Sequence, residues 1–257
     1  MKELNAILTI AFRDVTKFLR DRPRIFASFA FPVFFIGIFG ASLQANLNTD
    51  YNLLVFIFTG VLAQTLFQST ALGVISLIED RENDFSQEIF VSPVSRYSII
   101  LGKISGETVV SLLQVFGIIL FGFLIGIPLG PEKLVRLIPI LAIPCFLGGA
   151  FGMLVLAQLT SQRAANQIFP FAIFPQLFLA GVFNPITHLP PFIFILSRLA
   201  PLTYAVDFIR GIYYRGTPGY HTLVLHSPLT NFIVITCLFF FFLFLGTFLF
   251  VRNERNK

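Results

Sequence analysis

The chain has 257 residues, of which 56% are hydrophobic and only 12% charged, with a formal net charge of +5. Soluble domains carry about 25% charged residues, so this chain cannot cover its own surface with polar groups, and lipid is the expected solvent. The positive balance does not indicate nucleic acid, because the basic residues flank apolar runs and form no basic domain.

The first helix is expected within residues 1–24. Leu4, Leu8, Ala11, Val15 and Phe18 share one side, and Asn5, Arg13, Asp14, Lys17 and Arg20 fall mostly elsewhere, the pattern of a basic amphipathic helix lying in the membrane interface. Its charges are spread along the segment and precede no compact apolar core with a small-residue cleavage site, so a cleaved signal peptide is not expected.

Six spans of membrane-crossing length are predicted at Ile25–Leu43, Leu53–Ile78, Thr108–Ile127, Leu134–Leu159, Ile168–Phe183 and Leu229–Val251. Residues 184–228 contain an apolar stretch, Phe192–Ala200, too short to cross and bracketed by Pro190, Pro191 and Pro201; a re-entrant external hairpin is expected. With the N-terminus inside, thirteen Lys and Arg fall on the inner side and five on the outer. The excess stays on the cytoplasmic side of membrane proteins, so both termini are expected in the cytoplasm and the protein in the cell's inner (plasma) membrane. The expected fold class is therefore an all-α integral membrane protein, a single transmembrane unit over residues 1–257.

Polar residues inside spans are few. Gln64 and Gln68 lie one turn apart with Thr65 and Ser69 beside them, a stripe that must face protein or water. Lining of a pathway and hydrogen bonding between helices are both open readings. Glu107 follows Lys103 by one turn, which predicts a local ion pair, with proton relay the lesser reading. Gly148/Gly152 and Gly122/Gly126 have the spacing that lets helices approach. Tyr204, Asp207 and Arg210 read as an interfacial helix in the external segment. The histidines His188, His221 and His226 lack the spacing of a metal site, and none is expected. The spans offer almost none of the paired carboxylates, histidines or nucleophiles that an intramembrane enzyme would need.

The segment 79–103, EDRENDFSQEIFVSPVSRYSIILGK, packs acids directly after an apolar run and must be soluble. It resembles the cytoplasmic connection between the second and third spans of ABC-2 type transporter permeases. RIFASFAFPVFFIGIFG from Arg24, FPQLFLAGVFN from Phe174 and LAPLTYAVDFIR from Leu199 are similar to the first-span, fifth-span and pre-terminal stretches of that family's drug- and lipid-export branch, the daunorubicin-resistance-permease-like proteins. FLRDRPRIFAS departs from the polysaccharide-export signature.

The resemblance implies a permease that exports a hydrophobic or amphipathic cargo, such as a drug-like compound, a lipid or a lipid-linked glycan. A polysaccharide exporter of the same family and a non-transporting assembly subunit are the alternatives. The implied coupling helix carries Glu79, Asp80, Arg81, Glu82 and Glu88 and docks on a separate ABC ATPase subunit. No GxxxxGK[ST] loop occurs, since Gly102-Lys103 is followed by Ile104, so ATP and Mg are expected in that partner and no cofactor in this chain. A homodimer, or a pair with a related second permease, is implied as well.

Overall fold

The computed structural model describes residues 2–46, 51–82, 95–159, 161–186 and 190–255, and these contain helices and no strand. In chain order the helices are α1 (Lys2–Arg20), α2 (Arg22–Val33), a π-helical stretch (Phe34–Gly40), α3 (Ala41–Asn46), α4 (Leu53–Gly73), α5 (Ser76–Glu82) and α6 (Arg96–Leu124). They continue with α7 (Pro131–Leu137), a 3-10 turn (Ile138–Ile140), α8 (Ala142–Leu156), α9 (Gln162–Leu179), α10 (Pro191–Leu199), α11 (Pro201–Tyr213), α12 (Tyr220–Leu223) and α13 (Pro228–Arg255).

Local chemistry sets the boundaries. Asp21 caps α2 by accepting from Arg24 N at 3.0 Å, and Asn52 caps α4 by accepting from Val55 N at 3.0 Å, each satisfying a backbone donor that has no partner inside its helix. Gln44 Oε1 accepts from Leu53 N at 2.6 Å, joining the end of the first span to the start of the second. Helix α6 ends where Gly126 takes φ +81, a left-handed conformation that favours glycine. Gly126 thus terminates a helix, and a β-carbon there would touch nothing within 4 Å; of the Gly122/Gly126 pair only Gly122 packs closely, against the Phe58 ring.

Five helical stretches are long and apolar enough to cross a membrane: Arg22–Gln44, Leu53–Asp80, Arg96–Leu124, Pro131–Leu156 and Tyr220–Asn253. The pair α10 and α11 counts as a sixth only if taken as one span, and it bends by 89°. The third span begins at Arg96, well before the predicted Thr108, because Lys103 and Glu107 are paired with opposite charges and no longer oppose helical burial. The predicted fifth span, Ile168–Phe183, falls on the later part of α9, whose first turns carry Gln162, Arg163, Asn166 and Gln167 and which ends at Leu179; it is less apolar than the five other stretches. Within residues 184–228 the sharp bend falls at Ala200, between α10 and α11, where Pro201 starts the new helix.

Helix α4 is the centre of the bundle, apolar on nearly every side and packed against α6, α8 and α11. Gly148 and Gly152 bring α8 onto it: β-carbons there would stand 2.1 Å from Phe67 O and 2.5 Å from Ala71 O, so the expected close approach is present. Arg24 pairs with Glu107, Arg13 with Asp80, and Asn253 Nδ2 donates to Ala157 O at 2.7 Å. These contacts gather the start of the first span, the tail of the second, the start of the third and the ends of the fourth and last at one end of the bundle.

Candidate functional site

At that end, α1 lies flat along the start of α6. Its contact face is small and tight: a β-carbon at Gly102 would be 3.1 Å from Ile7 Cα, and one at Gly106 would be 2.9 Å from Ala11 Cα. Gly102 and Gly106 therefore form a small-residue pair of the same spacing as Gly148/Gly152, one that lies N-terminal to the predicted third span. Leu4, Leu8, Phe12 and Leu19 remain exposed on the other side, whereas Ala11 and Phe18, predicted on the same side as Leu4 and Leu8, turn inward, Ala11 against Gly106. Asp14, predicted on the polar side, is instead buried together with Phe18.

Burying Asp14 is possible because cations meet it. Lys103 Nζ donates to Asp14 Oδ2 at 2.7 Å and lies 3.2 Å from Glu107 Oε1, with the Lys103 and Glu107 side chains both 2% exposed. The other oxygen of Glu107 accepts from Arg24 NH2 at 3.3 Å. Arg13 NH2 is 3.3 Å from Asp14 and also bonds Asp80, whose second oxygen lies 3.4 Å from Lys17 Nζ. The order along this path is Arg24, Glu107, Lys103, Asp14, Arg13, Asp80, Lys17, alternating in sign with a cation at each end. Burial opposes the Arg13 charge, but the carboxylates of Asp80 and Asp14 outweigh it and raise its pKa. Each interior member of such a chain is neutralised twice, which is what makes its desolvation tolerable.

Gly73 makes the room for this. A β-carbon there would stand 2.1 Å from Glu107 Cδ, so the carboxylate fills the space that any other residue of α4 would occupy.

The Arg24 end of the path opens on a cavity of about 300 Å³ between the first three spans, lined by Arg24, Phe31, Gln64, Gln68, Gln114 and neighbouring residues. The predicted stripe of Gln64, Thr65, Gln68 and Ser69 lies on its wall. Gln64 Nε2 donates to Gln68 Oε1 along the same helix, and Thr65 Oγ1 donates to Val61 O at 2.8 Å. Gln64 Oε1 is buried and has no hydrogen-bond partner among the described residues. The stripe thus lines a cavity, and among the described residues the hydrogen bond recorded for its amides joins Gln64 to Gln68 on the same helix.

The residues predicted on the soluble connection divide. Glu79 is half-buried on α5, and Asp80 is buried in the ion-pair path. Arg81 and Glu82 complete α5, their side chains lying outside what is described, and Glu88 lies outside the described residues altogether.

At the opposite end, Asp207 and Arg210 are both 3% exposed, far more enclosed than an interfacial helix would leave them. Asp207 accepts from Leu225 N, His226 N and Asn231 Nδ2, each at 2.8 Å, and so holds the turn that starts α13. Arg210 donates to Phe56 O and Val182 O, each at 3.2 Å, and lies over the Phe56 ring at 3.5 Å; Gly60 leaves the gap its guanidinium needs, since a β-carbon there would be 2.9 Å from Arg210 NH2. Tyr204 OH donates to Arg198 O at 2.9 Å.

Residues 5–214, from α1 to the end of α11, match the family described as ABC-2 type transporter. The chain belongs to the ABC-2 type transporter family. A candidate transport permease named ycf38 from Cyanophora paradoxa is 32% identical over 190 residues, covering 71% of this chain and 65% of that protein. Proteins of the same name from Pyropia yezoensis and Porphyra purpurea are each 27% identical, covering 83% of this chain and 74% of theirs. As an ABC-2 permease the chain is a multi-pass membrane protein of the transporter class, and the matched region holds the whole ion-pair path, the cavity and Arg210.

Sequence reasoning missed Asp14, Arg13, Arg24 and Gln114 as members of the site. The Gly102/Gly106 spacing was a legible sign that some helix packs on the start of α6; nothing in the sequence said that it was α1.

Proposed function

We propose that this chain is the membrane-spanning subunit of an ATP-driven exporter, working as a dimer or beside a related permease, with ATP and Mg held by a separate ABC ATPase. The observation that carries this reading is the alternating ion-pair path, which runs from Asp80, at the edge of the acidic connection, through α1 and α6 to Arg24 in the cavity wall. A push on the 79–88 segment moves Asp80, and Asp80 is tied to α1. Helix α1 cannot shift without straining the Lys103 and Glu107 contacts, because interior charges that lose a partner are costly. Motion at the ATPase would thus reach the cavity through paired charges and rigid helices.

The polar and apolar side chains that together line the cavity suit an amphipathic cargo, and the thirteen-to-five distribution of Lys and Arg expected from six crossings supports a charged end in the cytoplasm. Export is the direction implied by the resemblance to the drug- and lipid-export branch.

The test is co-expression with an ABC ATPase and measurement of complex formation and ATP hydrolysis. Reversing Glu79 and Glu82 to Lys is expected to weaken the complex. Breaking the path with Asp80→Ala is expected to leave the complex assembled and remove the response of hydrolysis to cargo. Unchanged stimulation in both variants would refute the assignment.

A further inference from the structure

We infer that the π-helical stretch Phe34–Gly40 of the first span is a movable wide turn with two seats, and that its shift from one seat to the other unlatches Phe35 from Phe183 and moves Phe31 in the cavity wall. A π-helix bonds each N–H to the carbonyl five residues back, and so holds one residue more than the α-helical winding it replaces. Here it interrupts the run from Arg22 to Gln44. Both ends of that run are fixed. Below the stretch, Arg24 donates to Glu107 at 3.3 Å, and Phe29 sits on Gly117 so closely that a β-carbon there would be 2.4 Å from its ring. Above it, Gln44 Oε1 accepts from Leu53 N and Leu54 N. The surplus residue therefore stays in the span and has only one freedom, to travel along it.

Two places suit it. The seat occupied in the structure ends at Gly40, where a β-carbon would stand 3.1 Å from Leu54 Cδ1 and 3.4 Å from Phe35 O. The second is the turn around Pro32, just before the stretch begins. Proline has no N–H to give Ser28 O, so the α-helical bonding is already broken there and a wide turn forfeits one bond fewer. When the wide turn moves from the first seat to the second, the residues between them rotate by about 100° and shift by about 1.5 Å, one residue of winding, while both ends stay in place. Phe35 lies in that interval, and Phe31 at its lower edge.

Those rings connect the cavity to the turn after α9. Phe31 lines the cavity, and its ring is 4.2 Å from that of Phe35. Phe35 is stacked on Phe183 at 5.0 Å, and Phe39 meets the same ring edge-on at 5.4 Å. Phe183 is held from its own side, since Arg210 donates to Val182 O at 3.2 Å and Gly181 takes φ +68. Movement of the latch thus falls to the first span, the least enclosed of the five membrane-length stretches. An occupant of the cavity that presses on Phe31 favours the second seat, and its presence reaches the turn after α9 through the rewinding of one helix. Calling that occupant cargo rests on the function proposed above; the rewinding does not.

The chain has no tryptophan, so Phe183→Trp supplies a single indole whose quenching by acrylamide, measured on the purified protein in nanodiscs, reports the latch. In that background Gly40→Ala crowds the first seat and is expected to raise the quenching constant about twofold. Adding Pro32→Ala, which restores the α-helical bond at the second seat, is expected to cancel the rise; this opposite sign separates the effect from misfolding. Ser69→Phe, which fills part of the cavity, should raise the constant as Gly40→Ala does. Deleting Ile38 removes the surplus residue and should leave a folded protein with the latch closed. Deleting Phe116, equally exposed but on the wholly α-helical α6, turns everything beyond it and should abolish folded yield.

A loss of folded protein on deleting Ile38 equal to that on deleting Phe116 overturns the surplus residue. No rise in Gly40→Ala, or a rise that survives Pro32→Ala, overturns the second seat. An unchanged constant in Ser69→Phe overturns the coupling to the cavity. None of these measurements uses an ATPase, so failure of the exporter reading in the hydrolysis assay and failure of the latch are separate results.

Discussion

Lys103 Nζ donates to Asp14 Oδ2 across 2.7 Å at a point where neither side chain is more than 2% exposed. That bond fastens α1 to α6. Asp14→Ala is expected to leave Lys103 with Glu107 as its sole carboxylate and to cost on the order of 3 kcal/mol. Asp14→Ala combined with Lys103→Met should recover part of the loss, because the uncompensated cation is gone. Thermal unfolding in detergent, with proteolysis to report the release of α1, measures both.

Gly73→Ala is expected to lower the unfolding temperature by several degrees, since the new methyl group would stand 2.1 Å from Glu107 Cδ and overpacking costs about 1–3 kcal/mol. Gly73→Ala with Glu107→Ser should unfold at a higher temperature than Gly73→Ala alone. A double variant no better than the single one would show that the carboxylate does not occupy that space.

Exchanging charge between Arg13 and Asp80 tests the path directly. Asp80→Arg alone places like charges together and is expected to abolish cargo-stimulated ATP hydrolysis in the assembled complex. Arg13→Asp with Asp80→Arg restores an attraction and should recover a measurable part of it. Hydrolysis assays on the reconstituted complex read the result.

Arg210→Lys is predicted to be nearly as damaging as Arg210→Met. The guanidinium spans two carbonyls, Phe56 O and Val182 O, and stacks on a ring; an ammonium cannot reproduce that fork or its stacking. Both variants should lose about 2 kcal/mol or more, visible as a matched fall in unfolding temperature. A lysine variant of wild-type stability would refute the geometric argument.

Gly148→Leu should separate α8 from α4 and reduce folded yield sharply, because its side chain would meet the backbone of Phe67 and not a movable side chain. Gly130→Leu, where a β-carbon meets nothing within 4 Å, is the matched control. Size-exclusion profiles of the two variants decide it.

How much of this was legible depended on the range of the interaction. Most of the spans and the stripe on α4 are local, and the outward Leu4 and Leu8 of α1 follow from helical periodicity alone. The Lys103–Glu107 pair was legible for the same reason, being one turn apart. Asp14, Arg24 and Asp80 were not assigned to it because they lie far from Lys103 and Glu107 in sequence, and a charged residue at a span boundary reads equally well as solvated. Asp207 and Arg210 were misplaced on the surface because their partners, Asn231 and the carbonyls of Phe56 and Val182, belong to other helices.

The acidic 79–88 segment, the feature that first suggested a coupling element, illustrates the division. Composition by itself predicts that it leaves the membrane, since six charges in so short a stretch are costly in hydrocarbon. Only the tertiary structure decided that Asp80 turns inward to Arg13 and Lys17 and that the path from it ends at a cavity. The physical reason is that solvation by lipid or water acts on each residue separately and is written in the local sequence. Compensation of a buried charge requires a second group brought from elsewhere in the chain, and only folding supplies it.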